Sequence, residues 1–276
     1  MKNLDKKTVQ SMIPERKNIS YKGDYGKILL IGGNDSMGGA IILTALAAVY
    51  SGAGLVTVAT AKSNHTALHA QLPEAMVINW SDQPQLENQL KEATVIAIGP
   101  GMGVSKESLN LLNFVLSHIN KKQRVIIDGS AITLMAKHHL AIPNDQTVFT
   151  PHLGEWERLS GLEPAKQNPT LNQVKRNQLN ATIVLKKHRT EVYFKEEIWQ
   201  NQAGNPAMAT GGMGDTLAGI LASLTAQLPD FKASILAGVF LHSYIGDQLA
   251  QKQYVVLPSQ LIKQLPFILK EFADYQ

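Results

Sequence analysis

A carboxylate set among glycines at the start of a helix can take a proton from a group that is held beside an anion. The stretch Asn205-Pro206-Ala207-Met208-Ala209-Thr210-Gly211-Gly212-Met213-Gly214-Asp215-Thr216 has this character, and the apolar run Leu217 to Leu224 follows it. Glycines let backbone N–H groups come close to a ligand. A helix N-terminus adds about half a positive charge, and together these make a site for phosphate or another anion. A carboxylate in such a place is costly unless it has a task. The natural task is to remove a proton from a hydroxyl that attacks phosphorus. Asp215 is therefore the candidate general base, and Gly211, Gly212 and Gly214 are candidate anion-hole donors. A glycine-rich turn before a helix is also common structural punctuation, so the segment is not decisive alone.

Other candidates recur at the ends of apolar runs. Gly32-Gly33-Asn34-Asp35-Ser36-Met37-Gly38-Gly39-Ala40 suits close approach to a bulky ligand. It lacks the Gly-Lys-[Ser/Thr] end of a Walker A loop and does not match G-x-G-x-x-G, which disfavours a hydride-transferring dinucleotide enzyme. Gly99-Pro100-Gly101-Met102-Gly103 follows a second run, and Asp128 ends a third. Two roles stay open for Asp128: orienting a magnesium-bound water or holding a loop. His152 and Glu155 follow Thr150-Pro151. They lack a third metal ligand and match no zinc motif, so no direct metal ligand is assigned. Glu155 either acts near magnesium through water or caps a helix. Lys186-Lys187-His188-Arg189-Thr190 is a basic segment between two strand candidates, to be weighed against a solvated hairpin. His65 and His69 read as surface residues, His118, His138 and His139 lie near predicted helix ends, and His242 reads as a satisfied core histidine.

Eight short runs, many rich in β-branched residues, read as the strands that must position these groups: 27–31, 55–60, 76–79, 94–98, 124–128, 147–150, 182–186 and 191–194. Helical patterns cover 39–51, 106–119, 154–160, 171–180, 215–226, 232–251 and 258–272. Alternating β and α elements predict a mostly parallel sheet covered on both faces. Near-continuous apolar strands agree with that burial. The expectation is one α/β domain over residues 1–276, a three-layer α/β/α sandwich. Ligands of such sheets sit beyond the C-terminal strand ends, where most of these motifs fall.

Composition narrows the chemistry. The chain of 276 residues has no cysteine, which excludes disulfides, thiolate nucleophiles and Cys-ligated metals. A reducing cytoplasm is compatible. No signal peptide is visible in Met1 to Ile13, and the apolar run from Ala40 to Tyr50 is too short to span a bilayer. The net charge of +4 is modest. Without a stripe of basic and aromatic residues it favours an anionic small ligand over nucleic acid.

The ordered set Tyr21-Lys22-Gly23-Asp24-Tyr25-Gly26 with Gly32-Gly33, then Gly99 to Gly103, Asp128-Gly129-Ser130-Ala131, Thr150 to Glu155 and Gly211 to Thr216 resembles the ADP- or ATP-dependent NAD(P)H-hydrate dehydratase family. That family lies within the ribokinase-like superfamily. The resemblance runs from about residue 5 to the C-terminus. It implies a ribokinase-like fold and a lyase that returns the S-form of hydrated NADH and NADPH to NADH and NADPH. It implies a phosphorylated intermediate formed with ADP or ATP and Mg2+. It implies that Ala40, Gly103, His152 and Asp215 contact the hydrated dinucleotide. Lys186, Lys187, His188, Arg189, Thr190 and Gly214 would border the adenine nucleotide, and Asp215 would be the base. It further implies a homotetramer, a cytoplasmic location and a separate NAD(P)H-hydrate epimerase as pathway partner. Leu153, Lys187 and Met213 depart from the usual proline, glycine and threonine. The alternatives are a ribokinase-like kinase of a small hydroxylated vitamin precursor or sugar, and a non-catalytic nucleotide sensor.

Overall fold

In the computed structural model, which describes residues 1–274, two apolar cores lie on opposite faces of one sheet. The strands are β1 (Lys2–Leu4), β2 (Lys27–Ile31), β3 (Leu55–Thr60), β4 (Met76–Asn79), β5 (Val95–Ile98), β6 (Arg124–Ile127), β7 (Thr147–Phe149), β8 (Thr182–Leu185), β9 (Glu191–Tyr193) and β10 (Ile198–Asn201). Their spatial order is β1-β10-β9-β8-β7-β6-β5-β2-β3-β4. From β8 through β4 all neighbours are parallel. Only β9 runs antiparallel to its neighbours, β8 and β10.

Period-two alternation divides the side chains between the two cores. Ile28, Leu30, Val95, Ala97, Ile126 and Val148 enter one; Leu29, Ile31, Ile96, Ile98, Val125 and Ile127 enter the other. The first core is covered by α2 (Gly38–Tyr50), α9 (Met213–Gln227), α10 (Phe231–Ala250) and α11 (Pro258–Ala273), with α1 (Lys6–Gln10) and α3 (His65–Gln71) contributing Val9 and Leu68. The second core is covered by α4 (Gln83–Glu92), α5 (Lys106–His118), α6 (Gly129–His138), α7 (Leu153–Ser160) and α8 (Pro169–Leu179). This is the expected three-layer α/β/α sandwich.

Each of the eight expected strands forms, with ends shifted by no more than one residue, and the seven expected helices form with ends shifted by up to two. Such shifts are within the ordinary ambiguity of element ends. Elements that the apolar pattern did not reveal are β1, β10, α1, α3, α4 and α6. β1 is three residues long and pairs with β10 at the sheet edge, so two of its side chains stay exposed. α4 buries only Leu86 and Leu90, and its start is fixed by an Asp82 cap and a proline in the first turn. No helix among the described residues is long and apolar enough to cross a membrane.

The sheet brings the sequence motifs to one rim. Ile31 pairs with Ile98, Ile98 with Ile127, and Ile127 with Phe149. The next residues, Gly32, Gly99, Asp128 and Thr150, therefore leave the sheet side by side at its C-terminal edge. A bridge between His152 and Lys186 extends the row.

Candidate active site

Two glycine loops form one wall of the rim. Gly33 N donates to Pro100 O at 2.8 Å, and Asn34 N donates to Gly101 O at 2.8 Å. The approach is so close that a Cβ on Gly32 would lie 2.1 Å from Pro100 O. Gly103 has φ +80, and its N–H donates to Ser130 Oγ at 3.0 Å. Ala40 lies in the first turn of α2 beside this wall; a Cβ on Gly101 would meet the Ala40 Cβ at 2.8 Å. Ala40 and Gly103, candidate substrate contacts, thus border the same pair of loops.

The opposite wall is the start of α9. Gly212 is its N-cap, with φ +92, and Asp215 lies in the first turn. The helix is pinned against α2: Thr44 Oγ1 donates to the Asp215 carbonyl at 3.1 Å, and Gly219 leaves room for the Thr44 carbonyl 2.2 Å from where a Cβ would stand. Gly211 carries no such constraint, since a Cβ there meets nothing within 4 Å. The segment leading into the helix is held by α10. Asp247 accepts from Gly204 N at 2.9 Å and from Asn205 Nδ2 at 2.6 Å. Asp247 is a contact of this segment that the sequence did not signal, because it belongs to an apolar helix well beyond it in the chain.

Between the walls sits a cluster of charge. Lys186 Nζ donates to Asp128 Oδ1 at 2.8 Å, and Thr150 Oγ1 donates to the same oxygen at 2.5 Å. A Cβ on Gly214 would lie 3.2 Å from Lys186 Nζ, so the ammonium is at the start of α9. Burial first, and then the charge of Asp128, pushes the Asp215 carboxyl up to about 6, against the opposing pull of Lys186. Burial draws the Lys186 ammonium down, but Asp128, Glu155 and Asp215 outweigh it and the net direction is upward. A base poised near neutrality beside a permanent cation is suited to general-base work next to a phosphoryl group.

The other candidates divide. His152 caps α7: its Nδ1 accepts from Gly154 N at 3.1 Å and from Glu155 N at 3.3 Å. Glu155 completes the box by accepting from His152 N at 2.8 Å, which realises the helix-cap role. With Nδ1 an acceptor, a neutral His152 carries its proton on Nε2. In the basic segment only Lys186 is seen to meet the acidic cluster. Lys187 pairs instead with buried Glu191 at 2.8 Å, and Arg189 donates to the carbonyls of Gln202 and Gly204. Their charges are therefore engaged in holding the hairpin and the loop before α9, which disfavours the alternative of a simple solvated basic hairpin. His188 and Thr190 lie on the same turn.

His242 is buried beneath the first turn of α9, hydrogen-bonded to the Met213 backbone, and burial holds it down to about 4. Its Nε2 has no partner, so the expectation of a satisfied core histidine is corrected to a half-satisfied one. His69 is exposed as expected, but His65 is half-buried, with an unpartnered Nε2. His118 and His138 close α5 and α6, and His139 follows α6 in the left-handed conformation. No group of three or more His, Cys, Asp or Glu side chains placed to hold a metal occurs among the described residues.

A model of the NAD(P)H-hydrate dehydratase family matches residues 28–267. The chain belongs to that family. It is 49% identical to the Staphylococcus aureus protein named ADP-dependent (S)-NAD(P)H-hydrate dehydratase, over 95% of each chain. It is 48% identical to the protein of the same name from Lactiplantibacillus plantarum, over 100% of this chain and 99% of that one. Among solved structures, a ribokinase-like superfamily protein from Enterococcus faecalis superposes with a TM-score of 0.97 at 45% identity, covering 99% and 96% of the two chains. The ADP/ATP-dependent NAD(P)H-hydrate dehydratase from Bacillus subtilis, co-crystallised with ATP and Mg2+, gives 0.88 at 30% identity, covering 98% of each. The fold of this chain is ribokinase-like.

Proposed function

We propose that the chain is an enzyme that dehydrates the S-form of hydrated NADH and NADPH back to the reduced dinucleotides, using ADP. The observation that carries this reading is Asp215, set in the first turn of α9 and facing Lys186 and Asp128 across a rim of glycine loops. Membership of a dehydratase family gives that geometry its substrate. ADP is preferred over ATP because the relatives at 41–49% identity are named ADP-dependent.

Hydroxide is a poor leaving group from the hydrated nicotinamide ring, and phosphate is a good one. The ring hydroxyl oxygen bonds to the terminal phosphorus of ADP, and the bond from that phosphorus to the bridging oxygen breaks. The electron pair leaves with AMP, and the hydroxyl proton passes to Asp215. Backbone N–H groups of Gly211, Gly212 and Gly214 stabilise the phosphoryl oxygens. Phosphate then leaves the ring, a proton leaves the neighbouring carbon, and the double bond returns. In the binding scheme that goes with this chemistry, Ala40, Gly103, His152 and Asp215 meet the hydrated dinucleotide. The 186–190 turn and Gly214 border the nucleotide.

The oxygen-rich rim fits Mg2+ held by phosphate oxygens and water. Asp128 and Glu155 face it as hard carboxylates, without the three-ligand cluster that a direct protein site needs. Bound there, Mg2+ would neutralise phosphate charge. A single domain, a homotetramer, a cytoplasmic setting and a separate epimerase that feeds the S-form complete the proposal. A bifunctional repair enzyme from Coxiella burnetii, 36% identical over 51% of its own length, supports the coupling to a second activity.

The test is to give purified protein hydrated NADH with ADP, with ATP and with neither. Reduced-nicotinamide absorbance should return together with AMP and free phosphate, faster with ADP. A stable phosphorylated product would identify a kinase instead. Recovery without a nucleotide would reject the coupled mechanism.

His152→Ala separates binding from capping. Loss of the cap should cost about 1 kcal/mol of stability. Loss of the Nε2 donor should weaken hydrated-dinucleotide binding more than ADP binding. Calorimetric titration of both ligands, beside thermal unfolding, checks this. A lowered melting temperature with both affinities intact would leave His152 as a cap alone.

A further inference from the structure

We propose that Lys186 is a catalytic residue whose ammonium, held at the start of α9 by Asp128, grips the phosphoryl group while it is in transfer. The inference rests on the phosphoryl-transfer reading above and assigns it a group beyond the backbone anion hole. Three observations carry it. The ammonium is fixed, since Asp128 Oδ1 accepts from it at 2.8 Å and is itself held by Thr150. It is at the anion loop, 3.2 Å from where a Gly214 Cβ would be. It is also the cation of the basic turn that faces the reacting groups, because Lys187 is paired with Glu191 and Arg189 with backbone carbonyls.

The charge balance gives Lys186 a task that changes along the reaction. One ammonium faces three carboxylates, Asp128, Glu155 and Asp215. Before transfer its field is shared among them. As the substrate oxygen bonds to phosphorus, the hydroxyl proton moves to Asp215 and cancels that charge. Negative charge meanwhile gathers on the phosphoryl oxygens and on the departing bridge oxygen. The ammonium is then attracted to the phosphoryl group more strongly than in the ground state, which is the condition for raising kcat rather than lowering KM. Lysine has three donors on a flexible stem. One stays with Asp128, and two are free to follow the phosphoryl oxygens. Asp128 is accordingly a positioning residue.

The experiment compares the parent with Lys186→Met and Asp128→Asn. In Lys186→Met, kcat should fall by about 10²–10³-fold, the scale of losing one preorganised donor to a developing charge. The ADP dissociation constant should change much less. AMP with aluminium fluoride, a mimic of the transferring phosphoryl group, should lose affinity by a factor close to the loss in kcat. The acidic limb of the kcat profile should move to higher pH, because the charge of Lys186 opposes the rise that burial and Asp128 impose on Asp215. Asp128→Asn should show the same losses of kcat and fluoride-complex affinity more weakly, but its acidic limb should move to lower pH, because the charge of Asp128 raises Asp215. In kcat and in fluoride-complex affinity the double variant should resemble Lys186→Met, as expected when one residue acts through the other.

Equal losses for ADP and for the fluoride complex, or an unchanged kcat, would overturn the proposal. If Lys186→Met leaves a stranded carboxylate and fails to fold, the double variant removes that charge and supports the same measurements. The fluoride comparison needs no hydrated dinucleotide, so it tests Lys186 even if the substrate assignment fails.

Discussion

Asp215→Asn is expected to lower kcat by about 10²–10⁴-fold, the usual contribution of a positioned general base. The amide keeps the shape of the carboxylate but cannot take the hydroxyl proton. Folding should survive and gain slightly at neutral pH. Burial raises the pKa of Asp215 to about 6, so the folded chain favours its protonated form. The associated stability is present at low pH and is lost as pH rises through about 6. At pH 7 the ionised carboxylate therefore costs stability, and asparagine removes the cost. The same pKa predicts that kcat of the parent rises as pH passes through about 6, and that this limb is absent from the variant. ADP affinity should hold or improve, because a negative charge beside the phosphates is gone. Turnover, ADP titration and thermal unfolding of the two proteins test these statements together. Near-parental turnover in a folded Asp215→Asn would remove Asp215 from the mechanism.

The sequence revealed the elements whose signal is local and periodic. β2, β3, β5, β6 and β8 are apolar runs because parallel strands are covered on both faces. The motifs at their ends could be placed on one rim from topology alone. What stayed hidden depends on distant partners. β1 and β10 have no strong pattern because they form the outer edge, where β1 keeps two of three side chains exposed. α4 is helical through a cap, a proline and only two buried leucines.

At the site, residue types suggested Asp215, His152 and the basic turn, but not their division of labour. Lys186 leaves the end of β8 bridged to His152, whereas Lys187 has already entered the turn towards β9. Lys186 therefore meets Asp128 and Lys187 meets Glu191, and no property of two adjacent lysines foretells which is which. Asp247 was hidden for another reason. It is an acidic residue in an otherwise apolar stretch, and its meaning appears only when α10 lies against the Gly204-Asn205 turn.

Gly212→Ala should be nearly as damaging to turnover as loss of the base, by a different route. Gly212 has φ +92, and its carbonyl accepts from both the N–H and the Oγ1 of Thr216, so its conformation starts α9. An added Cβ would stand 2.5 Å from Leu43 Cδ1 and 3.1 Å from Pro258 Cγ. The leucine can swing aside, but the backbone strain of a left-handed non-glycine residue remains, at about 1–3 kcal/mol. Relief by rotation of the 211–214 backbone would turn its N–H donors away from the phosphoryl oxygens. Misplaced donors of this kind cost about 10²–10³-fold in kcat. The melting temperature should fall by about 3–10 °C on the same strain. Gly211→Ala is the control for folding, since its Cβ meets nothing within 4 Å and its melting temperature should stay near that of the parent. ADP binding should weaken in Gly212→Ala together with kcat, unlike in Asp215→Asn, because the donors serve the ground state as well. A folded Gly212→Ala with parental kcat would mean that the 211–214 backbone is a helix start and not an anion hole.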